Sequence, residues 1–273
     1  MAVRHDESST LLLAEISGRL QSDEFASWRT PDLDRLFRGY RQRLRALPLD
    51  ARLALALDLY RAGRTTDAHI ANRLLAMSAD ELDPRHAGEL DRVAGSLTAW
   101  GNVDPFCTDV MQPYLRQHPD AALALVRDWN TAALVWKRRA SVVTFTRKVG
   151  GSGQYTDEVL RLCDRLLDDP EDLVRKGVGW ALKDNLRGNK PVVLEYVKAL
   201  RRRGVSSVIT LYAIRDLRGA ERAEVLAIAP LRTGTSSASL DEEARIAAAH
   251  DRDRRCRAQP VRKLDEIVPE RGG

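Results

Sequence analysis

Apolar side chains recur at three- and four-residue steps along most of this chain, and no stretch shows a convincing period-two alternation. The stretch over 32–47 sets the pattern. Leu33, Leu36, Phe37, Tyr40, Leu44 and Leu47 fall on one helical stripe, behind Pro31 and a capping Thr30. The same reading predicts helices over 51–63, 66–78, 84–100, 118–129 and 131–149. The run GGSG at 150–153 reads as a flexible linker, because it lacks the Gly-Lys-Ser/Thr that would complete a phosphate loop. Beyond it, Val159, Leu162, Cys163, Leu166 and Leu167 stripe another helix, and Asp169-Pro170-Glu171-Asp172 opens the next. Asn189 and Pro191 open a further one, and the last is predicted over about 205–217. Helices of about ten to twenty residues with short joints stack as antiparallel pairs, so the expected fold is all-α, an α-solenoid. A concave face lined by the basic helices is expected with it. Residues 1–27 read as an N-terminal helix and linker, 28–232 as the helical domain, and 233–273 as a polar C-terminal extension.

Composition narrows the function classes. The 273 residues are 30% charged and 44% hydrophobic, as in soluble helical proteins. No apolar run approaches the ~18–20 residues of a membrane span, and LLLAEI at 11–16 is too short for a signal peptide. A cytoplasmic protein with no membrane partner is expected. Three widely spaced cysteines argue against disulfides and zinc, and the five histidines form no ligand motif, so neither metal nor cofactor is expected. The excess of 44 Lys+Arg over 39 Asp+Glu is mild but unevenly placed. From Trp129 to Gly150 the ionisable residues are Lys137, Arg138, Arg139, Arg147 and Lys148, with no acid among them, and Arg201, Arg202 and Arg203 form a second cluster. Local clusters of this kind suit a phosphate backbone.

The stretch TAWGNVDPFC at 98–107 interrupts the helical pattern, since helix interiors disfavour Gly, Asn and Pro. It reads as a helix end that presents Trp100 and Asp104 together. With Trp129, Trp136, Arg138, Arg139 and Trp180 these residues form an aromatic and ionic set, and four of the five tryptophans fall between 100 and 180.

On these residues the chain resembles the bacterial DNA alkylation repair glycosylases of the AlkD family, which are built on HEAT-like helical repeats. The likeness is carried by WRTPDLDRL (28–36), WGNVDPF (100–106), WNTAALVWKRRA (129–140) and VRKGVGWALKDNLRGNKPVVLEYV (174–197), in order and at nearly constant spacing over about 28–217. The resemblance implies that Trp100 and Trp180 flank the damaged nucleotide, that Asp104 is the catalytic carboxylate, and that Arg139 contacts the DNA backbone beside it. Lys137, Arg138, Arg147, Lys148, Lys176 and Lys183 are expected as further DNA-backbone contacts. The implied reaction is hydrolysis of the N-glycosidic bond of purines made cationic by N3- or N7-alkylation, in duplex DNA, by a monomer and without turning the base into a pocket. The sequence departs from relatives at Gly101, where a second acid is common, in the short region before Trp28, and in the tail beyond about 220. Two alternatives stand beside this reading: a non-catalytic solenoid that binds DNA or protein, and an enzyme specialised for bulky adducts.

Overall fold

The computed structural model describes residues 7–22 and 27–229. Among the described residues the chain is all helix and connection. The helices are α1 (Glu7–Leu20), α2 (Thr30–Ala46), α3 (Leu49–Arg61), α4 (Thr65–Ser78), α5 (Ala87–Gly95), α6 (Trp100–Phe106), α7 (Gln112–Gln117) and α8 (Pro119–Asn130). They continue as α9 (Val135–Val143), α10 (Arg147–Ser152), α11 (Thr156–Asp164), α12 (Asp172–Gly188), α13 (Lys190–Arg202), α14 (Ser207–Ala213) and α15 (Gly219–Ala227). The C-terminal extension read over 233–273, and the connection at 23–26, lie outside the described residues.

Each helix buries the stripe that its sequence advertises. In α2 the buried residues are Leu33, Leu36, Phe37, Tyr40 and Leu44, a 3.6-residue series. Consecutive helices pair as α3 with α4, α8 with α9, α11 with α12 and α13 with α14. The second members, with α2 and α6, form a row in which α2, α4, α6, α9, α12 and α14 each pack on the next. Behind it, α1 packs on α3, α3 on α5, and α5 on α8. This two-row stacking is a solenoid-like all-α fold, and one continuous apolar core runs through it from Leu12 to Val225.

Several local expectations are corrected. The helix at 84–100 is a short 3₁₀ turn, Pro84–His86, followed by α5, which stops at Gly95. TAWGNVDPFC begins a helix and does not end one. Asn102 accepts the Ala99 N–H through Oδ1 at 3.1 Å and so caps the start of α6. Pro105 sits inside α6, where it lacks a ladder N–H, and the helix widens into a π turn at Cys107–Met111 immediately after it. The predicted helix at 131–149 is broken: the hydroxyls of Thr144 and Thr146 bond back to the carbonyls of Ala140 and Val143, and a new helix starts at Arg147. Arg29, and not Thr30, is the cap residue of α2; its N–H is accepted by Asp32 at 2.9 Å. Helix α14 is shorter than predicted, and α15 was not predicted.

The GGSG run is a packing joint, not a linker. Gly150 to Ser152 close α10, and Gly153 turns at φ +71°. A Cβ on Gly153 would stand 2.6 Å from the Gly188 carbonyl oxygen, and one on Gly188 would stand 2.3 Å from the Gly153 nitrogen. Glycine is present because two backbones touch there.

Ion pairs link neighbouring helix pairs. Glu158 on α11 accepts from Arg127 of α8 at 2.8 and 3.0 Å and from Arg161 at 2.7 Å. The Arg127 bonds, with help from Arg161, hold its carboxyl down at about 2. A carboxyl whose folded pKa is depressed adds stability above its unfolded pKa, and loses it as pH falls towards the folded value. Glu158→Gln is therefore expected to lower the urea midpoint at pH 7. The gap to the native protein should close as pH falls from 4.5 towards about 2. A gap independent of pH would assign the contribution to packing instead of charge.

Candidate active site

Three helices of the front row, α6, α12 and α14, and the start of α10 line one cleft of about 480 Å³. Helix α6 supplies Trp100, 45% exposed, and Asp104 one turn later on the same face. Helix α12 supplies Trp180, Lys183, Asp184 and Arg187, again a single helical stripe, while Arg147 comes from the start of α10. Tyr212 of α14 and the following Arg215 close the far side. Gly179 allows that closure. A Cβ there would lie 2.7 Å from the Tyr212 Cβ, so only glycine lets α14 settle this close to α12.

Asp104 is fixed by Arg139 of α9. The guanidinium reaches Oδ1 from Nη2 at 2.9 Å and from Nε at 3.1 Å, and Oδ2 from Nη2 at 3.0 Å. Its third nitrogen, Nη1, donates to the Leu173 carbonyl. The two side chains are only 7% and 14% exposed, so their attraction is little screened. Arg139 thus orients the carboxylate and faces inward, where the resemblance implied a contact with the DNA backbone.

The remaining basic residues divide by direction. Successive residues of a helix are about 100° apart, so 137, 138 and 139 cannot share a face. Lys137 turns to Asp91, with Nζ 2.6 Å from Oδ1, and Arg138 turns to Asp169, with Nε 2.6 Å from Oδ2. Neither lines the cleft. Lys148 is exposed beside Arg147, and Lys176 lies one turn before Trp180 on α12. Arg201 is buried, whereas Arg202 is exposed. Trp129 is core: its ring is 1% exposed and its Nε1 donates to Asp91 at 2.7 Å.

Sequence reasoning missed Arg187, Tyr212 and Arg215. Arg187 was within reach, since seven residues after Trp180 is two turns along the same face; nothing in the sequence marked the other two. Two cations of the cleft are steadied by Asp216, which accepts from Lys183 at 3.4 Å and from Arg187 at 2.5 Å. The Arg215 guanidinium lies over the Tyr212 ring, 4.9 Å from its centroid.

A cysteine nucleophile finds no support at this site. Cys107 is fully buried just behind Asp104, and burial pushes its thiol far above the usual range, the opposite of an activated nucleophile. Among the described residues no group of three or more His, Cys, Asp or Glu could hold a metal ion. No described helix is long and apolar enough to cross a membrane. The arrangement is a carboxylate and two indoles in one cleft that arginine and lysine also line.

A model of the family described as DNA alkylation repair enzyme matches residues 14–217. The matched span begins inside α1, ends just after α14, and contains every residue of the cleft. No curated protein matches the chain.

Proposed function

Because the chain belongs to the DNA alkylation repair enzyme family, we propose that it is a DNA glycosylase that releases cationic N3- or N7-alkylpurines from duplex DNA. The observation that carries this reading is the meeting of Trp100, Asp104 and Trp180 in one basic cleft. An alkylpurine that bears a positive charge is already a good leaving group. It departs neutral, and positive charge develops on the sugar as the N-glycosidic bond breaks. Such a reaction needs little acid catalysis. It needs fixed negative charge beside the sugar and a seat for the attacking water, and Asp104 supplies both. Its rotamer is set beforehand by Arg139, so no reorganisation is required when charge develops. Indole faces add about 0.5–2 kcal/mol each towards a cation, depending on desolvation. Arg147, Lys148, Lys176, Lys183, Arg187 and Arg215 hold the phosphates and fix register without reading sequence. The solenoid row is HEAT-like in this reading, its cleft side is the concave DNA-facing surface, and the enzyme acts as a monomer in the bacterial cytoplasm on the nucleoid. The cleft leaves Trp100 45% exposed, which suits catalysis on a base that stays in the duplex and would admit bulky as well as methyl adducts.

A second reading draws on the same pair. Both oxygens of Asp104 already accept from Arg139, as in a purely structural bridge, and that favours a non-catalytic DNA-binding scaffold. Incubation of the protein with duplex carrying 7-methylguanine separates the two. The glycosylase leaves abasic sites that alkali converts to strand breaks; the scaffold retards the duplex and leaves it intact.

A further inference from the structure

Arg147 is the one residue other than glycine with a positive φ, +52°, among the described residues. The left-handed region brings Cβ against the following carbonyl, so a side chain persists there only when its surroundings impose it. Here the surroundings are identifiable. Asp184, 1% exposed on α12, accepts the Arg147 backbone N–H through Oδ2 at 2.6 Å. Its other oxygen faces Lys183 Nζ at 2.9 Å. One turn earlier on α12 stands Trp180, and the Arg147 guanidinium rests over that ring, 5.8 Å from its centroid. One helix therefore supplies both the anchor of the Arg147 backbone and the platform under its side chain. Arg139, Lys183 and Arg187 each face a carboxylate of the protein. The guanidinium of Arg147 is exposed at the cleft.

We propose that Asp184 is a positioning residue for DNA. By holding the Arg147 N–H it imposes the strained turn that seats the guanidinium on Trp180, and from there Arg147 takes one backbone phosphate beside the lesion. This rests on the reading of the cleft as a DNA site, and it adds a buried acid, which itself touches no DNA, to the machinery. An acid near a polyanion would otherwise repel it; enclosed against Lys183 and a backbone N–H, Asp184 spends its charge inside the protein.

The test is a double-mutant cycle read by fluorescence anisotropy with an unmodified duplex over a range of salt, beside steady-state alkylpurine release. Arg147→Ala should weaken duplex binding about tenfold, as expected for one charged contact. It should also reduce the slope of log K against log salt by about 0.9. Asp184→Ala should give the same loss, falling on KM more than on kcat, and the double variant should bind no worse than Arg147→Ala alone. Asp184→Asn keeps an acceptor for the N–H and should recover most of the affinity. Arg147→Gly should bind as poorly as Arg147→Ala yet melt about 2–4 °C higher, because glycine carries no left-handed strain. That comparison leaves Asp184 untouched, so it stands even where Asp184→Ala does not fold. Additive losses in the double variant, a loss confined to kcat, or an Arg147→Gly that melts no higher than Arg147→Ala would each overturn the proposal. A native protein that binds duplex but releases no base would defeat the glycosylase reading and leave this cycle decisive.

Discussion

Asp104→Asn is expected to slow alkylpurine release by about 10²–10³-fold, the usual loss when one preorganised electrostatic group is removed from a site of developing charge. Duplex affinity should stay within about threefold, because the substitution removes negative charge from the cleft and leaves the cations of α10 and α12 in place. Asparagine preserves the shape of the side chain and one acceptor for Arg139. The comparison is single-turnover release of 7-methylguanine, run well below the melting temperature of both proteins. Release at the native rate would reduce Asp104 to a structural partner of Arg139 and favour the scaffold.

Arg139→Met is expected to destabilise the fold by about 3–5 kcal/mol, since it takes the guanidinium away from the nearly buried Asp104 carboxylate. Asp104→Leu alone should cost a similar amount by stranding the guanidinium. The double variant, with two apolar side chains of comparable volume, should recover most of the loss, because the desolvation of both charges disappears together. Urea unfolding of the four proteins measures the cycle. Single variants within about 1 kcal/mol of the native protein would mean that solvent screens the pair as it screens surface bridges. The recovered double variant should release no alkylpurine, which separates the stability of the pair from its chemistry.

How far the sequence revealed all this depends on the residue. The α2 stripe was legible because Leu33, Leu36, Phe37, Tyr40 and Leu44 obey one period, and burial follows period. Chemical rarity marked a larger set of tryptophans and charges, the family resemblance singled out Trp100, Asp104 and Trp180 within it, and the cleft brings those three together. The direction of a charge was not legible. Lys137, Arg138 and Arg139 form one basic run, yet each turns to a different acid, and Asp91, Asp169 and Asp104 are 46, 31 and 35 residues away in sequence. Composition counts cations; only the packing of α5, α6 and the α11–α12 connection against α9 says which acid each one meets. GGSG misled for a related reason. Glycine marks a flexible joint and a close backbone approach alike, and the approaching partner, Gly188, is not visible from Gly153. Tyr212 and Arg215 belong to a short helix and its exit, where no motif distinguishes a cleft wall from ordinary surface. The role of Asn102 was hidden because the break lies before Trp100, between Gly95 and the start of α6, and not within the Gly- and Pro-containing stretch itself.

The central claim is that this chain breaks an N-glycosidic bond. Mass spectrometry of the small molecules released from duplex DNA carrying 7-methylguanine, 3-methyladenine and a bulky N7 adduct, in parallel reactions with the native protein, tests it most directly. Free alkylated bases are expected, in amounts equal to the abasic sites left in the strand, and none from unmodified purines. Duplex that is bound by the protein while every alkylated base stays attached would contradict it.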